Sequence, residues 1–320
     1  MRKYKEKIVY HYCSAETFMS IISNATLRAC NIRKSNDYTE VINCVDVFMI
    51  SMRNALQIYG NENKDDIVFH EFLKDLDTDW LIETAIDNES CTYYCVCFSE
   101  AQDLLSQWRG YADNGSGVAI GFDDRFFERT TDYCNMKYCP VEYNLPGVKS
   151  DLTRYIYNRI KKTHDVKKDM LTCSDYESTL SLIINAMVYN AIFYKNDAFS
   201  EEREWRLVYY PFGSVRNLSI RHKTSEMATH QLYYDKMDDI AKYGTQHKGL
   251  QRNPIQFMLR DKSITSYVDL SFRDVLPYCI REIVLGPKNV MDDLDLRLFL
   301  TENGVDLSYT KIVRSASTYR

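Results

Sequence analysis

Three acidic residues stand just ahead of an aromatic stretch: Glu201, Glu202 and Glu204, followed by Trp205 and Arg206. On an extended chain, neighbouring side chains point to opposite faces, so Glu202 and Glu204 share one face while Arg203 and Trp205 take the other. Two carboxylates on one face raise each other's pKa or grip a shared donor, which is useful for proton or cation chemistry. The same pattern also makes a solvated acidic lip before a strand. A second constellation is Gln107-Trp108-Arg109 with Tyr111. Its indole and guanidinium could stack on a planar ring and hold a phosphate, or serve as a core aromatic beside a surface ion pair. A third is His11, which alternation sets on the face opposite Tyr10 and Tyr12. A lone histidine at a strand end is more often a packing residue. Gly115-Ser116-Gly117 is short and has no helix after it, so it is a poor phosphate loop.

Composition narrows the classes. The chain has 320 residues and a formal net charge of −5, so it has no global basic footprint for nucleic acid, although a local patch stays open. No run approaches the ~20 apolar residues that span a bilayer, so no membrane association is expected. The N-terminal MRKYKEKIVYHY lacks the apolar core of an export signal. With ten cysteines and no such signal, the thiols are expected to be reduced and the protein cytoplasmic. Cys95 and Cys97 share a strand face, and Cys134 and Cys139 have no second pair downstream, so no metal site is expected. The 25 tyrosines could supply stacking faces or half-buried packing.

These residues must be positioned by regular elements. The pattern predicts strands at 7–12, 27–32, 93–98, 118–122, 138–143, 204–210, 280–285 and 310–314. Ser14 reads as the N-cap of a helix reaching Asn24. An amphipathic helix is expected over 41–59, and the apolar run 180–194 reads as a buried helix. Asp292 to Asn303 reads as a capped helix closing at Gly304. The expectation is a single α+β domain over 1–320, with a small mixed or antiparallel sheet core. Helical insertions are expected at 41–90 and 148–198, and a polar segment with the composition of a mobile insertion at 216–262.

Several of these motifs, in this order, resemble a known family: Tyr10-His11-Tyr12, Asn36-Asp37, Cys97-Phe98-Ser99, Gln107-Trp108, Tyr111-Ala112, Gly117 to Phe122, Glu202 to Arg206, Leu285-Gly286-Pro287 and the closing Tyr319-Arg320. It is a widespread prokaryotic family of unknown function, some members of which sit in abortive-infection and phage-defence loci. The strand bearing His11, the following Ser14, and the helix and short strand after it are also similar to the start of ADP-ribosyltransferase-like folds. That likeness implies NAD as a substrate, with His11 orienting its ribose and carboxamide and Tyr93, Tyr94 or Ser99 lining the nicotinamide pocket. It also implies catalysis by Glu204 or Glu202. Tyr10, Tyr12, Ser14, Trp108, Arg109, Tyr111 and Arg206 would complete the NAD-binding set. Asn24-Ala25 stands where those folds usually have a glycine.

The chemistry suits these types, since cleavage of the nicotinamide–ribose bond passes through an oxocarbenium-like state that a carboxylate stabilises. The first expectation is therefore a toxin-like effector that uses NAD to ADP-ribosylate a macromolecule, either nucleic acid or protein, or simply consumes it; a partner protein from the same defence locus could work with it. The alternative is a non-catalytic sensor or scaffold that binds a nucleotide or a phage component. A nuclease comes third, because His11, His70, His164, His222, His230 and His247 show no paired spacing. The position of Glu204 discriminates between the first two. Burial of Glu204 in a pocket facing His11 means catalysis, and a salt bridge to Arg206 or Arg109 on the outside means that the pocket is structural or absent.

Overall fold

The computed structural model describes residues 7–34, 38–78, 81–82, 93–130, 136–211, 250–260 and 262–318. The architecture is α+β: an open, mixed sheet with helices on both faces. Strand β1 (Ile8–Cys13) pairs antiparallel with β4 (Val118–Asp123) along its whole length, from Ile8↔Asp123 to Cys13↔Val118. Beyond β4 lie β10 (Ile280–Leu285), also antiparallel, and β11 (Lys311–Arg314), which runs parallel to β10. On the other side, β3 (Tyr94–Ser99) pairs along its full length with β6 (Glu204–Tyr209), and β6 with β5 (Met136–Pro140). Pro140 ends that outer strand, where a missing N–H is tolerated.

The remaining edge of β3 is divided. Its start meets β2 (Thr26–Asn31) at Asn31↔Tyr94 and Cys30↔Cys95, and its end meets β1 only at Tyr10↔Ser99. Strands β1 and β2 therefore diverge from a shared neighbour, and the sheet is forked where they part. Helix α1 (Ala15–Asn24) bridges the fork. Ser14 caps it as expected, accepting a hydrogen bond from the Thr17 N–H at 3.1 Å. The helix closes at Ala25 with φ 49°, so an alanine carries the left-handed conformation that favours glycine.

Pleating sorts the side chains into two layers. Val9, Cys13, Val96, Phe98, Ile120 and Leu207 face one core, covered by α1, α5 (Arg125–Thr130), α8 (Leu276–Cys279) and α9 (Asp293–Glu302). The opposite face of β3 and β6 carries Cys95 and Val208, under α2 (Tyr38–Glu62), α3 (Ile67–Phe72), α6 (Leu145–Lys167) and α7 (Cys173–Ala191). On that same side, α4 (Leu105–Tyr111) sets Trp108 over Tyr10, Tyr12 and Ala119. The run 180–194 is buried on several sides, including Leu180, Ile183, Ile184, Met187 and Val188. No helix among the described residues is long and apolar enough to cross a membrane.

Two expectations change. Helix α6 starts at Leu145, capped by Asn144, before the insertion expected from 148. Most of the insertion expected at 216–262, and the C-terminal part of the one at 41–90, lie outside the described residues, as do Asn36-Asp37 and Tyr319-Arg320. The end of the 216–262 stretch, however, is sheet. Gln251–Arg252 (β7) and Gln256–Arg260 (β8) pair with β9 (Ser263–Ser271), and β9 pairs in turn with β2. β7 is a short polar pair and β8 (QFMLR) leaves Phe257 and Leu259 exposed, so neither shows an alternating buried face, and both form by completing the ladder that β9 presents.

Candidate functional site

The segment that enters β6 builds a buried charge cluster. A 3-10 turn (Asp197–Glu202) ends at Arg203 in a left-handed conformation (φ 43°), which turns the chain sharply into the strand. Glu204 and Arg206 then lie two residues apart on the same face of β6. The Arg206 guanidinium donates from Nε to Glu204 Oε1 at 2.7 Å and from Nη2 to Oε2 at 2.9 Å. Its Nη1 donates to the Ile192 carbonyl at 2.6 Å. Lys195, from the segment after α7, donates to Glu202 Oε2 at 2.7 Å and lies 3.4 Å from Glu204 Oε2. Two cations thus face two carboxylates. Side-chain exposure is 0% for Arg206, 2% for Lys195, 7% for Glu204 and 13% for Glu202, so only Glu202 reaches toward solvent.

Neighbouring groups complete the network. The Tyr143 hydroxyl accepts from the Glu204 N–H at 3.0 Å, and burial pushes that phenol up to about 12. Ser99 Oγ donates to the Glu202 carbonyl at 2.6 Å and accepts from the Ala101 N–H at 3.0 Å. Burial alone would raise the Glu204 carboxyl. Arg206, Lys195 and a hydrogen bond from the Cys97 thiol outweigh it and hold the group below its ordinary value. The Cys97 thiol is itself driven well up, first by its contact with Cys95 and then by burial. A thiol held protonated in this way is a donor, not a nucleophile.

His11 lies at the fork, on the other face. Its ring packs against Phe98 with centroids 5.9 Å apart, and Nδ1 lies 3.0 Å from the Cys97 carbonyl. A carbonyl only accepts, so Nδ1 carries the proton and Nε2 is the acceptor nitrogen. Burial lowers the His11 pKa and the Cys97 carbonyl only partly offsets this, so the ring is neutral near pH 7. Phe98 points away from the side of β3 that bears Cys97 and Ser99, the register partners of Arg206 and Glu204. The expected pairing of His11 with Glu204 in one pocket is therefore not formed. The period-two pleat separates them.

The other expected binding residues divide among several places. Tyr10 and Gln102 both donate to Glu282 Oε2, at 2.8 and 2.7 Å. Tyr12 donates to the Ala101 carbonyl at 2.7 Å and accepts from the Leu104 N–H, which pins the loop after β3. Ser14 is occupied as the α1 cap. Tyr94 is buried and donates to Ser266 Oγ at 3.0 Å. Trp108 is fully buried, its ring 4.7 Å from Tyr12, and donates to Asp103 Oδ1 at 2.6 Å. Arg109 and Tyr111 are exposed on α4. The structure thus brings together Ser99, Glu202, Glu204 and Arg206 and separates them from His11. The sequence reading missed Lys195, Tyr143 and Cys97. Lys195 had a visible signal, being a lone cation at the end of the apolar run Ile192-Phe193-Tyr194.

Residues 107–207 match a family model described as protein of unknown function (DUF2971). The matched stretch runs from Gln107 beside Trp108 to Leu207 in β6, so it contains the whole charge cluster except Ser99 and Cys97, which lie just before it. No curated protein and no solved structure matches the chain.

Proposed function

We propose that the chain is a non-catalytic binding module, a sensor or scaffold of a cellular defence system, in which the buried charge cluster is a structural lock. Glu204 carries this reading. Both of its carboxylate oxygens are engaged by Arg206, with Lys195 close by, and it lies across the sheet from His11. A carboxylate that stabilises an oxocarbenium must be able to grip the ribose. Withdrawing Glu204 from Arg206 would leave a buried guanidinium uncompensated, at a cost of about 3–5 kcal/mol. The defence assignment is supported by the sequence resemblance to family members in phage-defence loci.

A second reading is favoured by one observation. Glu202 is the member of the cluster nearest to solvent, and Lys195 and Ser99 hold its side chain and backbone. In an ADP-ribosyltransferase-like fold, Glu202 would then be the carboxylate that acts on NAD, with Glu204 and Arg206 supporting it. Incubating purified protein with NAD and following nicotinamide by chromatography separates the two. The binding-module reading expects no release above buffer. Release by the wild type that disappears in Glu202→Gln would overturn it and establish NAD cleavage.

A further inference from the structure

Helix α6 departs from the acidic character of the chain. Between Leu145 and Lys168 there are seven Lys or Arg against two Asp, in a protein with 40 basic and 45 acidic residues. Its inner stripe, Val148, Leu152, Ile156 and Ile160, is buried against the helical core. On the outer side, Arg154 and Lys161 are exposed seven residues apart, close to two helical turns, and Lys168 is exposed just past the helix end, which it caps with φ 45°. They form a line about 20 Å long, given the ~1.5 Å rise per residue, and Lys162 stands exposed beside it. Of these, Arg154 is paired to Asp151 within one turn. At the N-terminal end of the line an open groove runs between α2 and α6. Lys149, Ser150 and Arg154 line it from α6, and Asn54 and the single carboxylate of Glu62 from α2.

We propose that the outer face of α6 binds a nucleic-acid backbone along this line. The inference supplies the ligand class of the proposed binding module and rests on that reading. Cations spread along a helix suit a linear polyanion with regularly spaced charges and do not suit a compact phosphate, which would need them to converge. The hydroxyl of Ser150 and the carboxamide of Asn54 are neutral donors of the kind that contact phosphate oxygens. Screening confines the field to roughly 8–10 Å at physiological salt, so distant negative charge does not cancel the patch, and the acids within it, Asp151 and Asp165, are outnumbered by its seven cations.

The test is fluorescence anisotropy with a labelled single-stranded oligonucleotide and its duplex, using the full chain. The comparison is Lys161→Glu with Lys162→Glu and Lys168→Glu combined, beside Lys311→Glu as a control on β11. With about three phosphate contacts, the logarithm of affinity should fall with the logarithm of salt at a slope near −2 for the single strand. The triple variant should lose at least tenfold in affinity at low salt, and the control should lose nothing. These side chains are solvent-exposed, so thermal melts should coincide and exclude unfolding. Absence of wild-type binding, or equal binding by the triple variant, would overturn the proposal. So would equal competition by polyglutamate of matched length, which would point to an acidic protein partner. Nicotinamide release reads the binding-module proposal separately, so the two can fail independently.

Discussion

Arg206 and Glu204, two residues apart on β6, close a two-point ion pair inside the protein, with hydrogen bonds of 2.7 and 2.9 Å. The pair couples the end of α7 to the sheet, because the same guanidinium also donates to the Ile192 carbonyl.

Breaking the lock from one side should be severe. Glu204→Gln leaves Arg206 buried beside a neutral amide, and a loss of about 3–5 kcal/mol is expected in urea unfolding. Glu202→Gln, nearer to solvent, should cost less. A Glu204→Gln variant as stable as wild type would remove the structural role assigned to the pair.

The cluster also sets the acid limb of stability. The Glu204 carboxyl is held below its ordinary value of 4.5 in the folded chain, so its contribution is complete above that value. It is lost as pH falls through the lower, folded value. Melting temperatures measured between pH 3 and 6 should fall toward acid in the wild type, with a shallower fall in Glu204→Gln.

His11 acts in a different window with the same sign. Its folded pKa lies below the ordinary 6.5, so the unfolded chain takes up a proton first as pH drops. The stability tied to the neutral ring is present above 6.5 and declines as pH falls through the folded value. His11→Gln should flatten the melting temperature between pH 5 and 7, and an unchanged slope would contradict a half-buried neutral ring.

Asp103 ties the end of the chain to α4. It accepts from Trp108 Nε1 at 2.6 Å, from Ser315 Oγ at 2.6 Å and from the Ala316 N–H at 2.8 Å. Burial would raise its carboxyl, but the bonds from Ser315 and Trp108 outweigh this and lower it. Asp103→Ala should cost about 1–3 kcal/mol by leaving the buried indole N–H unpaired.

Gly117 has a steric reason to be glycine. A Cβ there would lie 2.2 Å from the Cys13 carbonyl oxygen, where the end of β1 runs beside the start of β4. Gly117→Ala should destabilise by about 1–3 kcal/mol, as overpacking does, and a neutral result in thermal melts would show that the strands can part there.

Local order was legible in the sequence where it depends on near neighbours. Ser14 capping α1, the aromatic strands at Tyr94–Ser99 and Glu204–Tyr209, and the apolar run that became α7 all follow from propensity, capping and hydrophobic period. The common face of Glu204 and Arg206 follows from the pleat alone. What surrounds that face did not. Lys195 reaches the carboxylates only because α7 packs on the sheet, and β7 and β8 exist only because β9 offers them an edge. The resemblance to ADP-ribosyltransferase-like folds makes His11 and Glu204 partners. The forked pairing of β1 and β3 places them on opposite faces, because register, a property of pairing between distant strands, decides which side of a sheet each residue serves.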